Sequence, residues 1–210
     1  AKRESAAINI PTEKYSVMQA STHELKVAKL SEGAYRTGDT IKAFELPNAT
    51  GETVKSSALL KDGPIVISFY RGGWCPYCNM ELRALQSVLD QVSDLGASLV
   101  AISPETPDNS LTTSEKNDLT FNVLSDIDNA YAKELGLVFK MPKNLQDVYH
   151  SFNLDVPKHN GNEDYELPMP ATYVVNQNGE IVYDFVPEDY TERLDPEVVI
   201  DVLNKELDRV

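Results

Sequence analysis

The sequence predicts an α/β fold in which a buried sheet is covered by helices on both faces. Apolar, strand-like runs alternate along the chain with segments of helical periodicity. The most apolar run, residues 65–70, is rich in β-branched side chains, as is typical of a central strand in a parallel sheet. The chain has 210 residues, which suits one domain with a sizeable core.

The N-terminal part of the chain is predicted to be a helical arm. Four apolar residues fall at spacings that place them on one face of a broken helix: Tyr15, Met18, Leu25 and Leu30. The pattern of strands becomes clear only after this part. We therefore divide the chain into an arm, residues 1–35, and one domain, residues 36–210.

The strands and helices of the domain follow in alternation. Strands are predicted at residues 43–47, 53–54, 65–70, 98–103, 121–124, 171–175 and 181–186. Helices are predicted at residues 57–60, 76–96, 109–117, 129–135, 144–152 and from 195 onward. Asn178-Gly179 predicts a hairpin turn between the last two strands, and Asp195 predicts an N-cap. The long stretch 137–168 is predicted to hold the helix at 144–152 and a polar loop beyond it.

The composition argues against nucleic-acid and membrane partners. The chain has 33 acidic and 19 basic residues, a net charge of -14, and such a field repels phosphate backbones and anionic lipid. No apolar run approaches the about 20 residues of a membrane span. We expect a cytoplasmic protein. A periplasmic protein is the alternative, because the chain begins with Ala, as it would after removal of a leader.

The two cysteines of the chain, Cys75 and Cys78, lie where the central strand gives way to a helix. As N-cap, the Cys75 sulfur is expected to accept hydrogen bonds from the amides of Tyr77 or Cys78, which with the helix dipole favours the thiolate. Pro76 suits the first helical position. Cys78 lies one turn further on the same helix face, so the two sulfurs can form and release a disulfide. The spacing predicts a two-electron thiol site.

A metal site and a pair of inert thiols are the competing interpretations of this Cys-x-x-Cys pair. Zinc would need two more ligands. The chain offers His23, His150 and His159 without a His-x-x-x-His spacing, and Asn79 after Cys78 rules out a haem-attachment motif. We therefore expect neither a metal nor a cofactor.

Residues 69–78, Phe-Tyr-Arg-Gly-Gly-Trp-Cys-Pro-Tyr-Cys, resemble the active-site strip of peroxiredoxin-like proteins of the alkyl hydroperoxide reductase/thiol-specific antioxidant (AhpC/TSA) family. Residues 38–48 and 168–179 resemble two further blocks of that family, and the resemblance covers about residues 36–205. It implies a thioredoxin-like fold with a central mixed sheet flanked by helices. It also implies an antioxidant oxidoreductase that acts as a thiol peroxidase.

The resemblance leaves two assignments of the cysteines open. Aligned without gaps, Arg71 takes the position of the family's Pro, Cys75 that of its Thr, and Cys78 that of its peroxide-attacking Cys. A comparison with thioredoxins instead makes Cys75, after Trp74, the nucleophile and Cys78 the resolving thiol.

Five residues are expected to support the cysteines: Trp74, Pro76, Tyr77, Arg71 and Pro170. The resemblance implies that Pro170 follows a cis peptide bond and packs against the active-site sulfur. The family's peroxide-binding Arg would fall within residues 170–172, where there is none, so Arg71 and Arg83 are the candidates to replace it.

Three functions compete at this point. The first is a thiol peroxidase that reduces hydroperoxides through the Cys75–Cys78 cycle and is itself reduced by a thioredoxin-like protein or a small thiol. The alternative is a thiol–disulfide oxidoreductase acting on protein disulfides. The third is a non-enzymatic binding module that uses residues 137–168 as an interaction loop. Otherwise that stretch covers the active site or forms part of a homodimer interface.

Overall fold

A computed structural model describes residues 10–208 of the chain. Its strands are β1 (Glu45–Pro47), β2 (Thr53–Lys55), β3 (Ile65–Phe69), β4 (Ser98–Ser103), β5 (Asn122–Ser125), β6 (Val138–Lys140), β7 (Glu166–Pro168), β8 (Ala171–Val175) and β9 (Ile181–Phe185). Its α-helices are α1 (Thr12–Val27), α2 (Ser56–Asp62), α3 (Pro76–Ser87), α4 (Leu89–Asp94), α5 (Pro107–Lys116), α6 (Ala130–Glu134), α7 (Lys143–His150), α8 (Val156–Asn160) and α9 (Pro196–Leu207).

The centre of the fold is a five-stranded mixed sheet in the order β5-β4-β3-β8-β9. β3 pairs in parallel with β4, and β4 with β5, through crossovers that contain α3, α4 and α5. β8 pairs antiparallel with both β3 and β9. Every residue of β3 is buried. The predicted α/β fold with a central mixed sheet is confirmed.

The two faces of the sheet carry separate cores, because successive side chains of a strand point to opposite sides. Ile65, Ile67 and Phe69 of β3 enter one core, which α2 and α6 cover. Val66 enters the other core, which is covered by α3, α4 and α9. Cys75 and Cys78 belong to this second core, so the thiol turn is anchored in packed apolar side chains.

The predicted helix at 144–152 is present as α7, but the polar loop predicted beyond it is wrong, because α8 and β7 lie there. β6 and β7 pair antiparallel, and α7 and α8 lie between them. Six buried residues form a third apolar cluster here: Met141, Leu145, Val148, Tyr149, Val156 and Leu167. The sequence does not reveal β6 and β7 because strands of three residues are too short for a visible alternation.

The predicted helical arm is present as α1, which packs against this third cluster through Val17 and Met18. The division at residue 35 stays a prediction. Within residues 10–208, no helix combines the length and the apolar character that a membrane crossing requires.

One continuous helix from Pro76 to about Gly96 is a wrong prediction. Val88 has φ -110° and ψ 4° and separates α3 from α4. Its amide donates to the Leu85 carbonyl, three residues back, at 3.2 Å, so the chain tightens at this point. The tight turn keeps Val88 buried in the same core as Leu85 and Val92.

Candidate active site

The turn that carries the cysteines needs two glycines. Gly72 has φ +153°, and a Cβ atom on it would overlap the Trp74 indole. A Cβ atom on Gly73 would overlap the side chain of Thr113 in α5. The backbone therefore approaches its neighbours too closely for any other residue type.

Buried polar groups hold this turn from both sides. The Gly73 amide donates to Glu105 Oε2 at 2.9 Å, and the Gly73 carbonyl accepts from Asn79 Nδ2 at 2.7 Å. Asn117 in turn donates to Asn79 Oδ1 at 2.9 Å. Satisfied buried polar networks of this kind rigidify their surroundings, so the backbone preceding Cys75 is fixed.

Cys75 is the N-cap of α3, as predicted, and both cysteines are free thiols buried in the second core. The Cys75 sulfur makes no side-chain capping hydrogen bond, but the backbone amide of Cys78 is among the groups that lower the pKa of Cys75, in line with the prediction. Burial opposes ionisation of Cys75, yet its pKa is lowered, because the Cys78 thiol and the charges of Arg71 and Arg193 stabilise its thiolate. Burial and the neighbouring Cys75 raise the pKa of Cys78. The pair thus holds one thiolate beside one thiol.

Arg71 is one of the positive charges beside Cys75, and it is only 2% exposed. Its guanidinium lies 4.3 Å from the ring centroid of Tyr190 and 5.1 Å from that of Trp74. It donates to the hydroxyl of Tyr149, while its Nε atom has no hydrogen-bond partner. No carboxylate among residues 10–208 forms an ion pair with it. The Cys75 thiolate is therefore the anion that this buried cation stabilises.

Arg193 is the second positive charge, and no sequence pattern predicted its place in the site. Its Nη2 atom lies 3.3 Å from the Cys78 sulfur, and its Nε atom lies 3.2 Å from Glu81 Oε2. Burial raises the pKa of Glu81 to about 7, although Arg193 opposes that shift. No local motif links Arg193 to the cysteines, because it belongs to the loop before α9.

An open groove of about 480 Å³ leads to Cys75. Apolar and aromatic side chains from three parts of the chain line it: Ile10, Tyr15 and Met18 of the N-terminal part, Tyr149, Phe152 and Leu154 of the stretch 137–168, and Tyr190 near the C-terminus. The predicted supporting residues Trp74, Pro76, Tyr77 and Arg71 also lie along it. Cys78 does not, so of the two sulfurs only that of Cys75 borders the groove.

Pro170 and Arg83 do not take the places that the resemblance implied. No peptide bond among residues 10–208 is cis, so a cis Pro170 is a wrong prediction. The trans form is also the one that X–Pro bonds ordinarily favour, by about 0.5–1 kcal/mol. Pro170 lines a small cavity with Arg71 and Tyr149 rather than the groove. Arg83 lies outside the groove and donates to Asn117 Oδ1 at 2.7 Å.

The family model described as AhpC/TSA family matches residues 37–184. The chain belongs to this family. A putative peroxiredoxin of Mycobacterium tuberculosis is 32% identical over 102 residues, which are 49% of this chain and 66% of that protein. Peroxiredoxin Bcp of Escherichia coli is 26% identical over 102 residues, 49% of this chain and 65% of that protein. The matches thus span slightly less than two thirds of these two relatives.

Solved structures agree with the fold of this AhpC/TSA family member. Peroxidoxin BcpB from Mycobacterium tuberculosis has a TM-score of 0.66 at 22% identity and covers 81% of this chain and 97% of its own. The bacterioferritin comigratory protein of Xanthomonas campestris has a TM-score of 0.62 at 15% identity and covers 80% of this chain and 99% of its own. At these identities the likeness concerns the fold, and the thioredoxin-like architecture is confirmed.

Proposed function

We propose that this AhpC/TSA family member is a thiol peroxidase in which Cys75 attacks the peroxide and Cys78 resolves the product. One observation carries the assignment: Cys75 alone of the two sulfurs lines the groove, and it is the sulfur whose pKa is lowered. A thiolate is the reactive form of cysteine. Of the two assignments that the sequence left open, the proposal adopts the one from the comparison with thioredoxins, in which Cys75 is the nucleophile. It does not adopt the gapless alignment, in which Cys78 attacks.

The cycle has two chemical steps. The Cys75 thiolate attacks one peroxide oxygen, the O–O bond breaks, and the leaving oxygen takes a proton to become an alcohol or water, which leaves a sulfenic acid on Cys75. The Cys78 thiol then attacks the Cys75 sulfur, a disulfide forms, and the hydroxyl departs with the thiol proton as water. An external dithiol, a thioredoxin-like protein or a small thiol returns the pair to the reduced form.

Arg71 and Tyr149 are the groups that would stabilise the negative charge developing on the peroxide oxygens. Both line the groove beside Cys75, and both are buried. Burial raises the pKa of Tyr149, so its hydroxyl stays protonated. That hydroxyl accepts from Arg71, and its own proton remains available to donate. Preorganised donors of this kind are the usual source of such stabilisation.

A thiol–disulfide oxidoreductase acting on proteins is the second candidate, and the size of the groove favours it. About 480 Å³ is much more than a small peroxide fills, and Phe152, which lines the groove, is 40% exposed. An apolar, open groove beside a reactive thiolate could receive an extended segment of a protein substrate.

Mass spectrometry after one equivalent of hydroperoxide tests the assignment of the two sulfurs. We expect the wild type to lose two hydrogens as its disulfide forms. Cys78→Ser should accumulate a sulfenic acid that dimedone traps on Cys75, and Cys75→Ser should stay unmodified. A dimedone adduct on Cys78 in Cys75→Ser would reverse the roles of the two cysteines.

Insulin reduction discriminates between the two candidate functions. For a peroxidase, we expect rapid consumption of hydroperoxide and slow reduction of insulin disulfides by the reduced protein. Strong insulin turnover, with a peroxide rate no better than that of a free small thiol, would favour the oxidoreductase instead.

A further inference from the structure

A single buried carboxylate joins the turn that carries Cys75 to a histidine. Glu105 is 1% exposed, and its two oxygens bind different parts of the chain. Oε2 accepts from the Gly73 amide at 2.9 Å and from the Thr113 hydroxyl at 3.2 Å. Oε1 lies 3.2 Å from Nδ1 of His159. This contact is not a hydrogen bond, since Nδ1 of His159 is buried without a hydrogen-bond partner. The carboxylate lies between the imidazole and the backbone just before the attacking sulfur.

The backbone of His159 is also held in place. Its carbonyl accepts from the Thr106 amide at 3.0 Å and from Asn109 Nδ2 at 3.0 Å, and its amide donates to the Asp155 carbonyl at 3.2 Å. His159 thus belongs to a rigid contact between α8 and the start of α5. Nothing in this packing requires an imidazole, since the contacts that hold the backbone would serve any side chain.

The His159 side chain lines the same groove as Cys75, Arg71 and Trp74. It is 31% exposed, so it can meet both solvent and a bound molecule. The other two histidines of the chain, His23 and His150, also fall within the described residues but lie outside the groove. Because Nδ1 is buried against Glu105, Nε2 is the ring nitrogen left to serve in proton transfer.

We propose that His159 donates the proton that the leaving oxygen takes up when Cys75 breaks the O–O bond. The inference rests on the peroxidase function proposed above. The Cys75 sulfur forms its bond to the terminal oxygen, the alkoxide of an alkyl hydroperoxide departs, and the proton of the His159 imidazolium converts it to the alcohol. The imidazole regains a proton from water before the next turnover. General-acid catalysis of this kind contributes about 10²–10⁴-fold to a rate.

A purely structural role, in which His159 only neutralises Glu105, is the competing explanation. Lys116 offers a second positive charge close by, with its Nζ atom 3.4 Å from the Gly73 carbonyl, and it lines a small cavity together with His159 and Glu105. Asp155 is the acidic group on the same helix as His159. A structural role would affect every substrate equally, whereas proton donation depends on the leaving group.

The test compares two peroxides that release different leaving groups when the O–O bond breaks. tert-Butyl hydroperoxide releases a strongly basic alkoxide that needs a proton, while peracetic acid releases acetate, which needs none. For His159→Gln, we expect the rate of Cys75 oxidation by tert-butyl hydroperoxide to fall about 100-fold. The rate with peracetic acid should stay within about threefold of wild type, because a general acid assists only a leaving group that needs protonation. Stopped-flow fluorescence of Trp74 can follow both reactions.

The matched control is His23→Gln, an exposed histidine on α1, which should react like wild type with both peroxides. Added imidazole should restore the reaction of His159→Ala with tert-butyl hydroperoxide, since the groove has room for it. An equal loss with both peroxides, or no loss with either, would overturn the role of His159 and leave the peroxidase assignment standing. A wild type that reacts with neither peroxide faster than a free small thiol would overturn both proposals.

Discussion

Arg193 places its Nη2 atom 3.3 Å from the sulfur of Cys78, although 115 positions separate the two residues along the chain. The same guanidinium lies 3.2 Å from Glu81. One buried cation therefore sits between a carboxylate and the thiol pair. Because its field also reaches Cys75, it contributes to the lowered pKa of that thiol.

Replacing Arg193 by Met should raise the pKa of Cys75, because one of the positive charges that stabilise the thiolate is lost while the apolar stem is kept. We expect an increase of about one to two pKa units. Absorbance of the thiolate at about 240 nm, followed against pH, measures the shift. Arg83→Met is the control, since Arg83 lies outside the groove. An unchanged titration in Arg193→Met would contradict the electrostatic role.

Replacing Arg71 by Met should lower the rate of reaction with hydroperoxide by about 100-fold, as for the loss of one preorganised donor. Arg71 has two effects, since it lowers the pKa of Cys75 and faces the groove. Rates measured at a pH above the Cys75 pKa of the variant remove the first effect, because the thiol is then ionised in both proteins. A deficit that disappears at such high pH would mean that Arg71 only ionises the thiol and does not stabilise the peroxide oxygens.

Glu81 should make the folded state less stable as the pH rises. Its pKa is about 7 in the folded chain against an ordinary value of 4.5, so the native state binds the proton more tightly than the unfolded chain. The stability that this group contributes is fully present below pH 4.5 and is lost as the pH rises through 7. A shift of about 2.5 units corresponds to about 3 kcal/mol.

The variant Glu81→Gln isolates this effect, because the amide does not titrate. Urea unfolding of both reduced proteins at pH 4.5 and pH 8 gives the change in the free energy of unfolding. We expect the wild type to lose about 3 kcal/mol more than the variant over this range. Parallel pH dependence in the two proteins would show that Glu81 titrates normally.

Replacing Gly73 by Ala should destabilise the protein by about 1–3 kcal/mol, as overpacking usually does. The added methyl group would overlap Thr113. Combining Gly73→Ala with Thr113→Ala should recover part of the loss, because the two sites are in contact. Gly33→Ala is the control, since nothing lies within 4 Å of a Cβ atom there. Thermal unfolding of the wild type and these three variants measures the effect, and equal losses in Gly73→Ala and Gly33→Ala would exclude the proposed overlap.

The sequence predicted the parts of the fold that local pattern controls. The apolar run that became β3 and the Asp195 cap of α9, whose side chain accepts from the Glu197 amide, were both readable from neighbouring residues. β6 and β7 were not, because they pair across 25 intervening positions and have only three residues each. The break at Val88 also escaped prediction, since helical spacing continues across it.

The candidate site, like the fold, was predicted from the sequence only in part. The sequence by itself determined that two thiols lie at the start of a helix after a buried strand, because strand, glycine turn, cysteine and proline are adjacent in the chain. Only the tertiary structure decided which charged and polar groups surround them. Arg193, Glu105 and His159 reach the thiol turn from three distant segments. Burial gives the charge of Arg193 an influence on both sulfurs that no spacing along the chain could indicate.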